Sequence, residues 1–146
     1  MKNIRMRAVN PGTKAPVGKL AGKKVMLVED DIFLSDIIAR NLSAEKCAFV
    51  HSDNAPQALS LAEAERPDVI ILDILLPGMN GFEMLKQLKS NEKLKRIPVI
   101  LLSNLSQKKD VEKGLRLGAA RFLVKASMNL DEVVAQLEEV LTQAQG

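Results

Sequence analysis

Five short aliphatic runs alternating with amphipathic stretches predict an α/β fold, a doubly wound parallel sheet of five strands with helices on both faces. The runs are near-continuously apolar, as strands buried on both faces require. The stretches between them repeat apolar residues at helical spacing. At 146 residues and 47% hydrophobic content, the chain has the size of one domain with a substantial core.

The first strand is read at Lys24–Glu29, followed by a helix with Leu34, Ile37, Ile38 and Leu42 on one face. Cys47–His51 is the second strand. The second helix starts near Asp53 or Asn54 as N-cap, has Pro56 in its first turn, and carries the small residues Ala58 and Ala62 beside Leu59. Val69–Leu72 is the third strand, and a third helix runs from Phe82 through Leu85 and Leu88. The fourth strand is Val99–Leu102. The fourth helix, Gln107 to Leu117, has only Val111, Leu115 and Leu117 to bury and contains Gly114, which costs about 1 kcal/mol against Ala; it is expected to be the loosest element. Arg121–Val124 is the last strand, and Leu130, Val133, Val134, Leu137, Val140 and Leu141 give the fifth helix the strongest amphipathic pattern.

Charge divides the chain in two. Residues 1–24 hold seven basic side chains and no acid, while residues 25–146 hold 14 basic against 18 acidic, a net −4. The basic excess falls among Pro11, Gly12, Pro16, Gly18 and Gly22, so residues 1–23 read as a flexible tail and residues 24–146 as the domain. The chain has no Trp or Tyr and the tail no aromatic residue to stack bases, so the basic balance does not point to nucleic acid. One cysteine, Cys47, excludes an internal disulfide and fits a reducing compartment. No apolar run reaches signal-peptide or membrane-spanning length, and the expected location is the cytoplasm.

In a doubly wound sheet, ligands bind at the edge where the strands' C-terminal ends gather. Strand 1 ends in Glu29, Asp30 and Asp31, strand 3 in Asp73, strand 4 in Ser103 and strand 5 in Lys125. Singly, each has an ordinary explanation as a helix cap, a strand end or a solvated lysine. Asp31 is best read that way, as the cap of the first helix. Together they make an acid cluster with one hydroxyl and one ammonium. Two carboxylates about 4 Å apart repel by about 4 kcal/mol at an effective dielectric near 20, so three of them call for a cation. An all-oxygen site with few protein ligands suits Mg²⁺, which keeps several waters and accepts phosphate oxygens. A carboxylate there can serve as a nucleophile towards phosphorus, with Lys125 and Ser103 stabilising charge on the moving phosphoryl group.

The strings Val28-Glu29-Asp30-Asp31, Leu72-Asp73-Ile74-Leu75-Leu76-Pro77-Gly78-Met79-Asn80-Gly81, Leu102-Ser103 and Gly118-Ala119-Ala120-Arg121-Phe122-Leu123-Val124-Lys125 resemble the receiver domains of two-component response regulators, over about residues 24 to 143. The resemblance implies a flavodoxin-like (βα)5 fold with strand order 2-1-3-4-5, and a chemotaxis-regulator-like single-domain protein. Asp73 would accept a phosphoryl group from a histidine kinase or histidine phosphotransfer protein. Asp30, Asp73 and the backbone carbonyl of Leu75 would ligate Mg²⁺, with Glu29 acting through a water. Ser103 would hydrogen-bond the phosphoryl group, Lys125 would pair with it, and Phe122 would turn inward as Ser103 moves. Such a domain assists its own phosphotransfer and dephosphorylation without being an enzyme in the usual sense.

The sequence departs from the family at Ala126, where a proline in a cis peptide usually follows the lysine, which puts the orientation of Lys125 in question. Asn104 stands where a small residue is usual and would narrow the approach to Asp73. Leu75 and Leu105 are apolar where some members carry groups that orient water, so slow loss of the phosphoryl group is expected. Three other readings compete: a degenerate receiver that only binds; an aspartate-nucleophile phosphatase, which would want a second Asp where Leu75 stands; and a nucleotide binder, which would want a glycine-rich loop after the first strand. With no output domain recognised after the fifth helix, the signal is expected to leave through the face of helix 4, strand 5 and helix 5, which carries Lys108, Lys109, Lys113, Arg116 and Arg121.

Overall fold

A computed structural model describes residues 18–145. The elements are β1 (Lys24–Val28), α1 (Ile32–Ala44), β2 (Ala48–Ser52), α2 (Ala55–Glu65), β3 (Val69–Leu72), α3 (Gly81–Ser90), β4 (Val99–Ser103), α4 (Lys108–Arg116), β5 (Arg121–Val124) and α5 (Leu130–Gln145). All strand pairs are parallel, and the order is β2-β1-β3-β4-β5. The two-residue period of the strands sorts side chains into two cores. Met26, Val28, Ile70, Leu72, Val99 and Leu101 meet α2 and α3 on one face. Val25, Leu27, Val69, Ile71, Ile100 and Leu102 meet α1 and α5 on the other.

The helices start where the sequence provides acceptors. Asp31 Oδ1 accepts from Leu34 N at 3.1 Å, Asn54 Oδ1 from Gln57 N at 2.9 Å, and Asn80 Oδ1 from Glu83 N at 3.0 Å. Asp31 is thus the cap of α1 and Asn54 the cap of α2. By contrast, α4 has no side-chain cap.

Four expectations need correction. Uniform burial holds for β3 and β4, whereas the edge strands β2 and β5 are mostly half-exposed because each has a neighbour on one side only. Gly114, read as a weakness, is the one buried residue of α4: a Cβ there would stand 2.5 Å from Leu101 Cδ1 and 3.1 Å from the Phe122 ring. Its absence lets α4 lie close on β4 and β5, while Leu115, expected to be buried, is exposed. Finally, the packed domain reaches past the boundary drawn at Lys24, since Leu20 is fully buried with α1 and α5. Residues 1–17 of the basic segment lie outside the described residues. Cys47 is half-buried, its Sγ donating to Leu42 O at 3.2 Å, and burial raises the thiol pKa.

Candidate functional site

Registry brings the polar strand ends together. Val28 lies beside Leu72 and Ser52, Leu72 beside Leu101, and Ser103 beside Val124, so Glu29, Asp73, Ser103 and Lys125 emerge at one edge of adjacent strands. Asp73 N donates to Val28 O at 3.0 Å and Glu29 N to Ser52 O at 3.0 Å, which carries the ladder into the site.

Glu29, Asp73 and Ser103 are buried, and Asp30 is exposed at the rim. Carboxylate oxygens of Glu29, Asp30 and Asp73 lie within 4.8 Å of one another. Lys125 Nζ donates to Asp73 Oδ2 at 2.8 Å and lies 2.7 Å from Glu29 Oε1. The contact with the buried Glu29 Oε1 is a close ion pair. The other Glu29 oxygen accepts from Asp31 N at 2.9 Å, and Asp73 Oδ1 accepts from Leu75 N at 3.2 Å. Two buried carboxylates therefore share one ammonium, with the third, Asp30, beside them at the rim.

The electrostatics follow. Burial, reinforced by the neighbouring Asp73 charge, pushes the Glu29 carboxyl above its usual range against the pull of Lys125 and the Asp31 amide. For Lys125, burial lowers the pKa, but the hydrogen bond to Asp73, the pairing with Glu29 and their charges outweigh it and raise the net value. The lysine stays charged at any physiological pH.

Lys125 reaches the acids although Ala126 follows it. The Lys125–Ala126 peptide is trans, and Lys125–Ser127 forms a short 3₁₀ turn. The doubt that Ala126 cast on the orientation of Lys125 is thereby removed. Asn104 is exposed to solvent. Ser103 is fully buried, and its Oγ accepts from Leu105 N at 3.2 Å. Phe122 is half-buried, paired with Leu101 across the ladder and with its ring against Gly114. Leu75 turns its side chain to solvent beside Asp73, with its amide held by the Asp73 carboxylate.

Two supporting positions escaped sequence reasoning. A Cβ at Gly81 would overlap the Asp73 carbonyl oxygen and come within 2.7 Å of Ile74 Cα, so only glycine lets the start of α3 close behind the Asp73 loop. The exposed His51 brings Nε2 to 2.8 Å from the Glu29 carbonyl oxygen, tying β2 to the acidic turn. Gly81 stands in the motif, though nothing in the sequence says what it touches. Arg121 is the opposite case. It was counted with the basic output face and lies within it, between β5 and α5, but its guanidinium is already engaged, bonding Gln136, Gln143 and Glu139.

The chain matches the response regulator receiver domain over residues 25–138. It belongs to that family. Among its relatives, a probable transcriptional regulator, ycf29, of Pyropia yezoensis is 41% identical over 70% of this chain and 46% of its own length. The phosphate regulon regulatory protein PhoB of Pseudomonas aeruginosa is 31% identical over 84% of this chain and 53% of its own length. This receiver domain thus spans about half the length of those two. It matches 98% of the polar-differentiation response regulator DivK of Brucella anthropi, at 30% identity over 84% of this chain. A solved chemotaxis protein, CheY4 of Vibrio cholerae, superposes with a TM-score of 0.76 at 28% identity, covering 82% of this chain and 99% of that one. The Mn²⁺-bound response regulator Rcp1 superposes at 0.70, with 28% identity over 81% of this chain and 91% of that one.

Receiver domains bind Mg²⁺ at an acidic pocket, and the donor set here fits a hard divalent cation. All three candidate groups offer carboxylate oxygen within 4.8 Å of one another, and a single ammonium, Lys125, offsets the buried pair. Among the described residues no helix is long and apolar enough to cross a membrane.

Proposed function

We propose that this receiver domain accepts a phosphoryl group on Asp73 from a phosphorylated histidine of a histidine kinase or histidine phosphotransfer protein, with Mg²⁺ bound, and signals through protein contacts. The observation that carries the reading is the arrangement around Asp73. A buried aspartate is hydrogen-bonded to a charged lysine at 2.8 Å, within a carboxylate cluster less than 4.8 Å across. Asp30, Asp73 and the Leu75 carbonyl would hold Mg²⁺, with Glu29 contributing through a water. The bound ion supplies positive charge that offsets the carboxylates and the phosphoryl oxygens.

The remaining steps belong to the chain. An Asp73 carboxylate oxygen forms a bond to phosphorus while the bond from phosphorus to the donor imidazole nitrogen breaks, and the electron pair leaves with the imidazole. The ammonium of Lys125 is poised to pair with the incoming phosphoryl oxygens. Ser103 Oγ–H, whose oxygen now accepts from Leu105 N, would donate to the phosphoryl group. That movement would draw Phe122 inward, and because the Phe122 ring lies on Gly114, the change would be felt by α4. Output would leave from the face of α4, β5 and α5. The 98% coverage of DivK supports reading such a domain as able to act alone.

The test is intact mass after incubation with Mg²⁺ and either acetyl phosphate or a phosphorylated histidine kinase, for native protein and Asp73→Asn. The expected result is a gain of roughly 80 Da on the native protein only, removed by hydroxylamine. No adduct with either donor would overturn the proposal and leave a domain that only binds. Turnover of the donor without a stable adduct would instead indicate a phosphatase.

A further inference from the structure

We propose that the seam between α3 and α4 is a docking strip for an acidic polypeptide segment, a partner region rich in Asp and Glu. At 3.6 residues per turn Lys109, Lys113 and Arg116 (i, i+4, i+7) form one stripe of α4. The ammonium of Lys113 lies 4.5 Å from the centre of the Phe82 ring, which turns that stripe towards α3. Just past the end of α4, a Cβ at Gly118 would stand 3.2 Å from Lys89 Cγ, so the chain again comes close to the α3 side there. Lys86, one turn beyond Phe82, falls between these two points and adds a fourth cation.

Lys86, Lys109, Lys113 and Arg116 are all exposed. Among the described residues none of them forms a salt bridge; the paired cations are Lys24, Arg40, Lys95, Arg121 and Lys125. Three acids, the exposed Glu83 and Glu112 and the half-exposed Asp110, share the two helices with six cations, which leaves them in positive excess. Lys109, Lys113 and Arg116 were counted with the face of helix 4, strand 5 and helix 5; the Lys113–Phe82 contact turns their stripe to the α3 side instead, while Lys108 and Leu115 (i, i+7) fall on a different flank of α4.

The occupant follows from charge and shape. Residues 25–146 carry a net −4, which repels a long polyanion wherever it leaves the strip, whereas a short acidic segment touches only the seam. Nucleic acid also lacks a stacking platform here, since the one aromatic ring of the seam, Phe82, is buried under Lys113. The strip does not use Asp73, so it is testable apart from phosphoryl acceptance.

The experiment is an amide chemical-shift titration of the full chain, native and Asp73→Asn, with a Glu-rich peptide of about ten residues and, separately, an oligothymidylate of equal charge. Shifts should concentrate in residues 82–90 and 108–118, and the affinity should fall about tenfold in K86Q/R116Q, which leaves the Lys113–Phe82 contact intact, and again on raising salt. The control K93Q/R96Q should bind as the native chain does. Shifts centred on the basic residues 1–24, tighter binding of the oligothymidylate, equal loss in the control, or no binding would each overturn the proposal.

Discussion

At the residue scale, Glu29 and Gly114 are set by their surroundings more than by their type. The Glu29 carboxyl is raised from the usual 4.5, first by burial and then by Asp73. A raised acid holds its proton to higher pH in the folded state, so ionising Glu29 removes stability as pH rises from about 4.5 through the folded value. Divalent-cation binding is linked in the opposite sense, because the ion must displace that proton. Mg²⁺ affinity should therefore fall as pH drops through this window, and Glu29→Gln should lose that part of the dependence; calorimetric titrations at several pH values measure it. For Gly114, Ala would gain about 1 kcal/mol of helix propensity and lose about 1–3 kcal/mol to crowding of Leu101 and Phe122. The expected net is a loss near 1 kcal/mol, read from urea unfolding. A stabilised variant would mean that α4 does not pack as described.

At the scale of elements, the opening of α1 is unusual for an exposed helix. Ile32 and Phe33 are 80% and 84% exposed, directly after the acidic pair, with Ile37 one turn on from Phe33 and exposed as well. Large apolar groups left in water beside the acidic cluster are what the proposed transfer from a protein donor would call for, since that donor would cover them. Phe33→Ala should slow phosphorylation by a phosphorylated histidine kinase about tenfold or more while leaving the rate with acetyl phosphate unchanged. Paired time courses of the mass adduct distinguish the two, and equal slowing with both donors would show that Phe33 supports the site and not the docking. The same region shows what sequence can and cannot supply. Helical spacing located α1 and Asp31 as its cap, because both are local properties. Which strands lie at the edges, and that Arg121 turns to α5 and Gly114 to Phe122, depend on neighbours distant in sequence.

At the scale of the whole molecule, the sequence was most legible where the sheet concentrates chemistry. Glu29, Asp73, Ser103 and Lys125 were found because every parallel strand delivers its last residue to the same edge, a rule that needs only strand ends. The acidic pocket's electrostatics needed coordinates, since burial of Glu29 and its ion pair with Lys125 across 2.7 Å are not sequence properties. With the proposed ion bound, that geometry would tie global stability to it. Folding gathers three carboxylates within 4.8 Å of one another and pairs two of them with one ammonium, so the folded chain carries a local excess of negative charge that the unfolded chain spreads out. A cation that binds only the folded state stabilises it by RT ln(1 + [L]/Kd), about 2.7 kcal/mol at a hundred times Kd. For a domain of this size that corresponds to a rise of roughly 5–10 °C in Tm. The rise should appear with Mg²⁺ or Mn²⁺ and be strongly reduced in Asp30→Asn, which removes a ligand at the exposed rim without disturbing the buried pair of Asp73 and Lys125. If Asp30→Asn kept the full rise, the ion would have to bind elsewhere, and the carboxylate cluster would be a network built around Lys125 alone.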